Sequence, residues 1–87
     1  MSHELKVYPQ FFKALWAGVK TFEIRKNDRK FELNDEICLQ EFVPTTQAIE
    51  EFYTGREING FITYITDFEQ KKGYVVFGFS ESHRHEE

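Results

Sequence analysis

The segment Gly18 to Arg25 reads G-V-K-T-F-E-I-R and brings Lys20, Glu23 and Arg25 close together in the chain. A carboxylate flanked by two cations stays ionised. Such a trio accepts from the amino edge of a base and donates to phosphates or carbonyls. On a strand, Glu23 and Arg25 project to one side, about 7 Å apart along the chain at roughly 3.3 Å per residue. Asn27, Asp28 and Arg29 follow and would add donors and acceptors at the rim of a cleft. The bland alternative is a structural ion pair between Glu23 and Arg25. Spacing alone leaves both readings open. The position of Lys20 relative to Glu23 depends on where the strand begins.

These residues need elements to hold them. HELKVY alternates as a first strand. Pro9 suits the first turn of a helix, and Phe12, Leu15 and Trp16 form one apolar stripe along it. Gly18 stands where a helix end needs a left-handed residue. Lys20 to Lys26 is the second strand. Phe22 and Ile24 share one face, expected to anchor the strand to the core, while Thr21, Glu23 and Arg25 share the other. Residues 27–35 form a turn-rich loop in which Asn34 can take a positive φ. EICLQEFV is a third strand, broken by Pro44 to Gln47. A hairpin arm before YTGRE turns at Gly55, and REINGFITYIT returns as a long strand in which Gly60 marks a bulge or close approach. DFEQKKG is a polar connection, YVVFGFS the last strand, and residues 81–87 a charged, disordered tail.

The totals set limits. Eighty-seven residues make one domain with a small core, and ten Phe, four Tyr and one Trp are available to fill it. A net charge of −4 argues against unspecific nucleic-acid binding through a globally basic surface. Yet residues 18–31 hold five Lys or Arg against Glu23 and Asp28, a local basic patch on an acidic body. The lone Cys38 excludes an internal disulfide and is expected as a buried small hydrophobe. No apolar run resembles a signal peptide or a membrane span. A soluble, cytoplasmic monomer without contact to a membrane is expected. His83 and His85 lack a ligand framework, so no metal site is expected. Tyr8, Tyr53, Tyr64 and Tyr74 are candidates for stacking a base, with Tyr64 leaning to the core; Trp16 and His3 are expected in the core and at the surface respectively.

The motif G-x-K-x-x-E-x-R over residues 18–25 resembles the signature of the ASCH domain, part of the wider PUA-like superfamily. The order KTFEIRKNDRKF, the strand after Asp35, then TGRE, ITYI and GYVV is similar to the small ASCH/PUA-like family DUF3850. Asn34 stands where such sequences often have Gly. The resemblance implies an α+β, mostly β fold over residues 1–80: a PUA-like pseudo-barrel of about five to six strands with one short helix after strand 1. It implies a cleft around Lys20, Glu23, Arg25 and the Asn27–Arg29 loop that binds RNA or a nucleotide-like molecule, with no cofactor.

The resemblance also implies two enzymatic alternatives. One is a nucleoside amidohydrolase of the N4-acetylcytidine type, which would use Lys20. Glu23 occupies the position of that type's Thr nucleophile, so Thr21 would have to act, with Glu69 as the guess for a distant Glu. A carboxylate cannot simply replace an activated hydroxyl in acyl transfer. The other is a ribonuclease working through Lys20, Glu23 and Arg25. A last alternative is a protein-interaction module whose acidic face binds a basic partner.

Overall fold

In the first strand, His3, Leu5 and Val7 are buried while Ser2, Glu4 and Lys6 are exposed, the period of a strand with one covered face. The computed structural model describes residues 1–44 and 52–86. It contains β1 (Ser2–Val7), α1 (Pro9–Trp16), β2 (Phe22–Lys26), β3 (Glu36–Val43), β4 (Phe52–Thr66) and β5 (Tyr74–His85). One curled five-stranded sheet runs in the order β1-β3-β4-β5-β2, a half-barrel with α1 set against it. β1 and β3 are parallel, and the other neighbours are antiparallel. Among the described residues the fold is mostly β with a single short helix, as the sequence implies.

The core lies between the concave face and α1. Phe12 and Leu15 from the helix meet Leu5 and Val7 of β1, Ile37 and Leu39 of β3, Ile58 and Ile62 of β4, and Val75 and Phe77 of β5. Burying such side chains contributes about 1.5–3 kcal/mol each before conformational entropy is counted. Phe31, from the loop after β2, joins them. β2 contributes no residue to this core.

Because β1 and β2 are the two ends of the sheet, a seam separates them. Arginines cross it. Arg25 donates to the Lys6 carbonyl at 2.7 Å, and Arg29 to the Glu4 carbonyl at 2.9 Å. Residues 4 and 6 point their carbonyls to the same side, so two guanidinium groups satisfy the open edge of β1 where a barrel would place a strand.

Several expectations change. Phe22 and Ile24 are not anchors: they are 42% and 55% exposed, whereas Glu23 is 4% exposed and faces inward. The residues read as a disordered tail continue β5 through His85, exposed but paired with β4 at Glu57, Ile58 and Asn59. Gly55 is not in a turn. It sits at φ +97° inside β4, where Thr54, Gly55 and Arg56 oppose the single residue Glu41 in a bulge. The break over Pro44 to Gln47 and the arm before YTGRE lie largely outside the described residues. Tyr64 is exposed, on the outer face. Cys38 is only partly buried; burial, then Glu57, pushes its thiol up to about 12, so it stays protonated.

Others hold. Asn34 adopts φ +71°. At Gly60 the pairing register shifts, and an added Cβ would collide with the Ser80 carbonyl oxygen, so only glycine fits. Among the described residues no helix is long and apolar enough to cross a membrane.

Candidate functional site

The helix end fixes the first member of the trio. Gly18, at φ +78°, donates to the Leu15 carbonyl and Val19 donates to that of Ala14, the paired bonds of a Schellman cap. Lys20 also donates its backbone N–H to Ala14. Its side chain is thereby aimed from the helix end toward β2. The Lys20 ammonium donates to Glu23 Oε2 at 2.9 Å. It also lies 5.3 Å and 5.5 Å from the ring centroids of Phe11 and Phe22, between two aromatic faces. The exposure of Phe22 thus has a local reason: it flanks the lysine.

Glu23 is held from its other side by Arg25, whose Nε and NH2 donate to Oε1 at 3.0 Å and 2.9 Å. An ionised carboxylate offers about four acceptor positions. Lys20 and Arg25 fill three, leaving one on Oε2. Glu23, Lys20 and Arg25 line a cavity of about 590 Å³ at the seam. Val7, Tyr8, Phe11 and Ile24 supply apolar wall, and Tyr74, Lys6 and Lys26 complete it. The carboxylate is therefore deep but open to the chamber, while the Arg25 side chain keeps 24% of its exposure.

The loop residues divide. Asn27 accepts the Phe31 backbone N–H on Oδ1, which shapes the loop and presents Phe31 to the core. Arg29 closes the seam at Glu4 and lines a second cavity of about 690 Å³ beside the first. Asp28 is exposed and lines neither cavity. Thr21 is exposed, precedes β2, and lies outside the lining of the 590 Å³ chamber; its carbonyl accepts from Phe79. Glu69, the guessed distant carboxylate, is exposed in the β4–β5 connection at φ +57° and is no part of that lining.

Two other buried carboxylates escape a reading of the sequence. Glu41 accepts from Thr54 at 2.8 Å and from Arg56 Nε and NH2 at 3.0 Å and 3.2 Å. The hydrogen bonds from Arg56 hold its carboxyl below the usual range, and Glu41 in turn raises the Arg56 guanidinium. Arg56 and Arg84 lie over the Trp16 ring at 4.8 Å and 4.4 Å, so Trp16 packs at the core edge beneath two guanidinium groups. The glycine within T-G-R-E was the available signal, since a strand glycine marks a bulge. Asp35 Oδ2 lies 2.8 Å from His3 Nε2 and also accepts the Glu32 N–H. The His3 bond leads in lowering the Asp35 carboxyl, against burial. His3 is buried against Phe31, not at the surface. Every buried side-chain polar atom among the described residues has a partner. Among those residues no group of three or more His, Cys, Asp or Glu is placed to hold a metal.

The family described as "Domain of unknown function (DUF3850)" matches residues 2–79. The chain is also similar to an "Uncharacterized 12.9 kDa protein in GpA 3'region" of Escherichia phage P2, at 35% identity over 65 residues. That stretch covers 75% of this chain and 54% of the phage protein, so the chain spans about half the length of this curated relative. With the family match running from β1 into β5, across the arginine-closed seam and its chamber, the chain belongs to the DUF3850 family.

Proposed function

We propose that the protein binds a nucleotide-like ligand, free or as part of an RNA, in the chamber walled by Lys20, Glu23 and Arg25. The observation that carries this reading is the buried Glu23 carboxylate, held by two cations yet keeping one acceptor position at the wall of a 590 Å³ cavity. That volume suits a small organic ligand. Tyr8 and Phe11 offer surfaces on which a base can lie. The open Glu23 acceptor suits an exocyclic amino group, and Lys6 and Lys26 suit phosphate oxygens. A helix packed after the first strand and a motif-lined cleft support the finer reading of the half-barrel as PUA-like. The nucleoside amidohydrolase alternative would require Thr21 inside the chamber, and its exposed position outside the lining gives that reading no support.

The test is a ¹⁵N chemical-shift titration with nucleosides, nucleotides and short RNAs. Shifts are expected at Lys20, Glu23 and Arg25, at least tenfold weaker binding for Glu23→Gln and Arg25→Ala, and no product. If no amide in residues 18–31 moves with any of these compounds, the reading is wrong.

A further inference from the structure

The chamber does not stand alone. The second cavity, about 690 Å³, adjoins it at the seam, and Lys6 and Arg25 line both. The two differ in character. The first has Tyr8 and Phe11 beside the buried carboxylate; the second is polar, with Ser2, Glu4, Arg29 and Gln40, and has Tyr53 at its wall. Together they carry five Lys or Arg side chains against two carboxylates, Glu4 and Glu23, in a protein of net charge −4. We infer that the seam is a trough for a single-stranded oligonucleotide, seating one base in the first chamber and a neighbouring base against Tyr53 in the second, with the intervening phosphate at Lys6 and Arg25. This rests on the nucleotide-binding reading above and extends it to a ligand of at least two nucleotides.

The divide is equipped for a phosphate. Arg25 uses Nε and NH2 on Glu23 and the Lys6 carbonyl, and among the described residues its NH1 makes no hydrogen bond. Lys6 Nζ stands 4.5 Å over the Phe42 ring and forms no ion pair among the described residues. Both groups keep donors for an anion bridging the chambers. Tyr53 meets Phe42 edge-on, centroids 5.1 Å apart at 63°, and remains 51% exposed, so the ring is braced while its surface stays open to stacking. A cationic groove with a braced aromatic ring is the chemistry of single-strand binding.

The experiment compares cytidine and adenosine 5′-monophosphates with the ribo- and deoxyribo-oligomers C2, C4, A2 and A4. Binding is followed by ¹⁵N shifts and calorimetry on wild type, Tyr53→Ala and Tyr53→Phe. In at least one sugar series the dimer is expected to bind at least tenfold tighter than the monophosphate, the scale of one stacked base. Tyr53→Ala should erase that gain and leave monophosphate affinity within twofold, while Tyr53→Phe keeps it. Each added phosphate contact should steepen the salt dependence by about 0.7 in log–log slope. Dimers no tighter than monophosphates, a gain that survives Tyr53→Ala, or shifts confined to the second chamber would each overturn the trough. Monophosphate binding with no gain on lengthening leaves the single-chamber reading standing. Loss of all binding at residues 18–31 removes both.

Discussion

Glu23 and Glu41 are nearly the same chemical object in two settings. Each is a buried carboxylate gripped by an arginine through Nε and NH2 and by one further donor. Around Glu41 the grip comes from a β4 bulge more than a dozen residues away, and Trp16 lies beneath the arginine. Around Glu23 both cations come from within three residues, and the pair forms the wall of a cavity. One network ties β3 to β4. The other could be dissolved without parting any two strands, except where Arg25 reaches Lys6. A buried ion pair by itself is therefore no mark of function. What separates the two is whether the space beyond is protein or open volume.

The largest expected effect is on stability at the Glu41 network. Arg56→Ala leaves that carboxylate with Thr54 alone and should cost about 2–4 kcal/mol. Arg25→Ala should cost only about 1–2 kcal/mol, because Lys20 remains and water in the chamber can reach Glu23. Urea unfolding of both variants checks this. Equal losses would erase the distinction between the two sites.

Acid should sharpen it. Asp35 and Glu41 have folded pKa values below their ordinary 3.8 and 4.5. Their contribution to stability is thus complete above those values and is lost as pH falls through the lowered folded ones. Unfolding free energy should decline below about pH 4.5, with a shallower decline in Glu41→Gln. An unchanged acid limb in that variant would mean that Glu41 carries no linkage.

The smallest effect belongs to the outward face of β2. Ile24→Thr keeps the strand propensity and removes exposed apolar surface, so stability should stay within about 0.5 kcal/mol. A loss of 2 kcal/mol or more, of the size expected for a core position, would return Ile24 to the interior and reverse the faces of β2.

Much of the local structure could be read from residue order. The strand EICLQEFV matches β3 at both ends, the apolar stripe of α1 and its Gly18 cap are as expected, and Asn34 and Gly60 do what their backbone freedom suggested. The lysine, glutamate and arginine of the motif do meet. The facing of β2 was not readable. Alternation of Phe22, Glu23, Ile24 and Arg25 separates two faces but does not say which one turns inward. That depends on the core, which Phe12, Phe31 and Phe77 fill without help from β2. The Glu41–Arg56 clamp was equally hidden, because its partners meet only once the Gly55 bulge puts three residues of β4 opposite one of β3.

Residue order alone places most strands, the helix and its caps, because φ preferences and apolar spacing act over a few residues. It also set the family, whose model matches residues 2–79. Long-range packing settled which face of β2 is buried, how far β5 runs, to His85, and the closure of the seam onto β1 by two arginines. Those outcomes depend on pairings between distant segments, whose strength no local preference encodes.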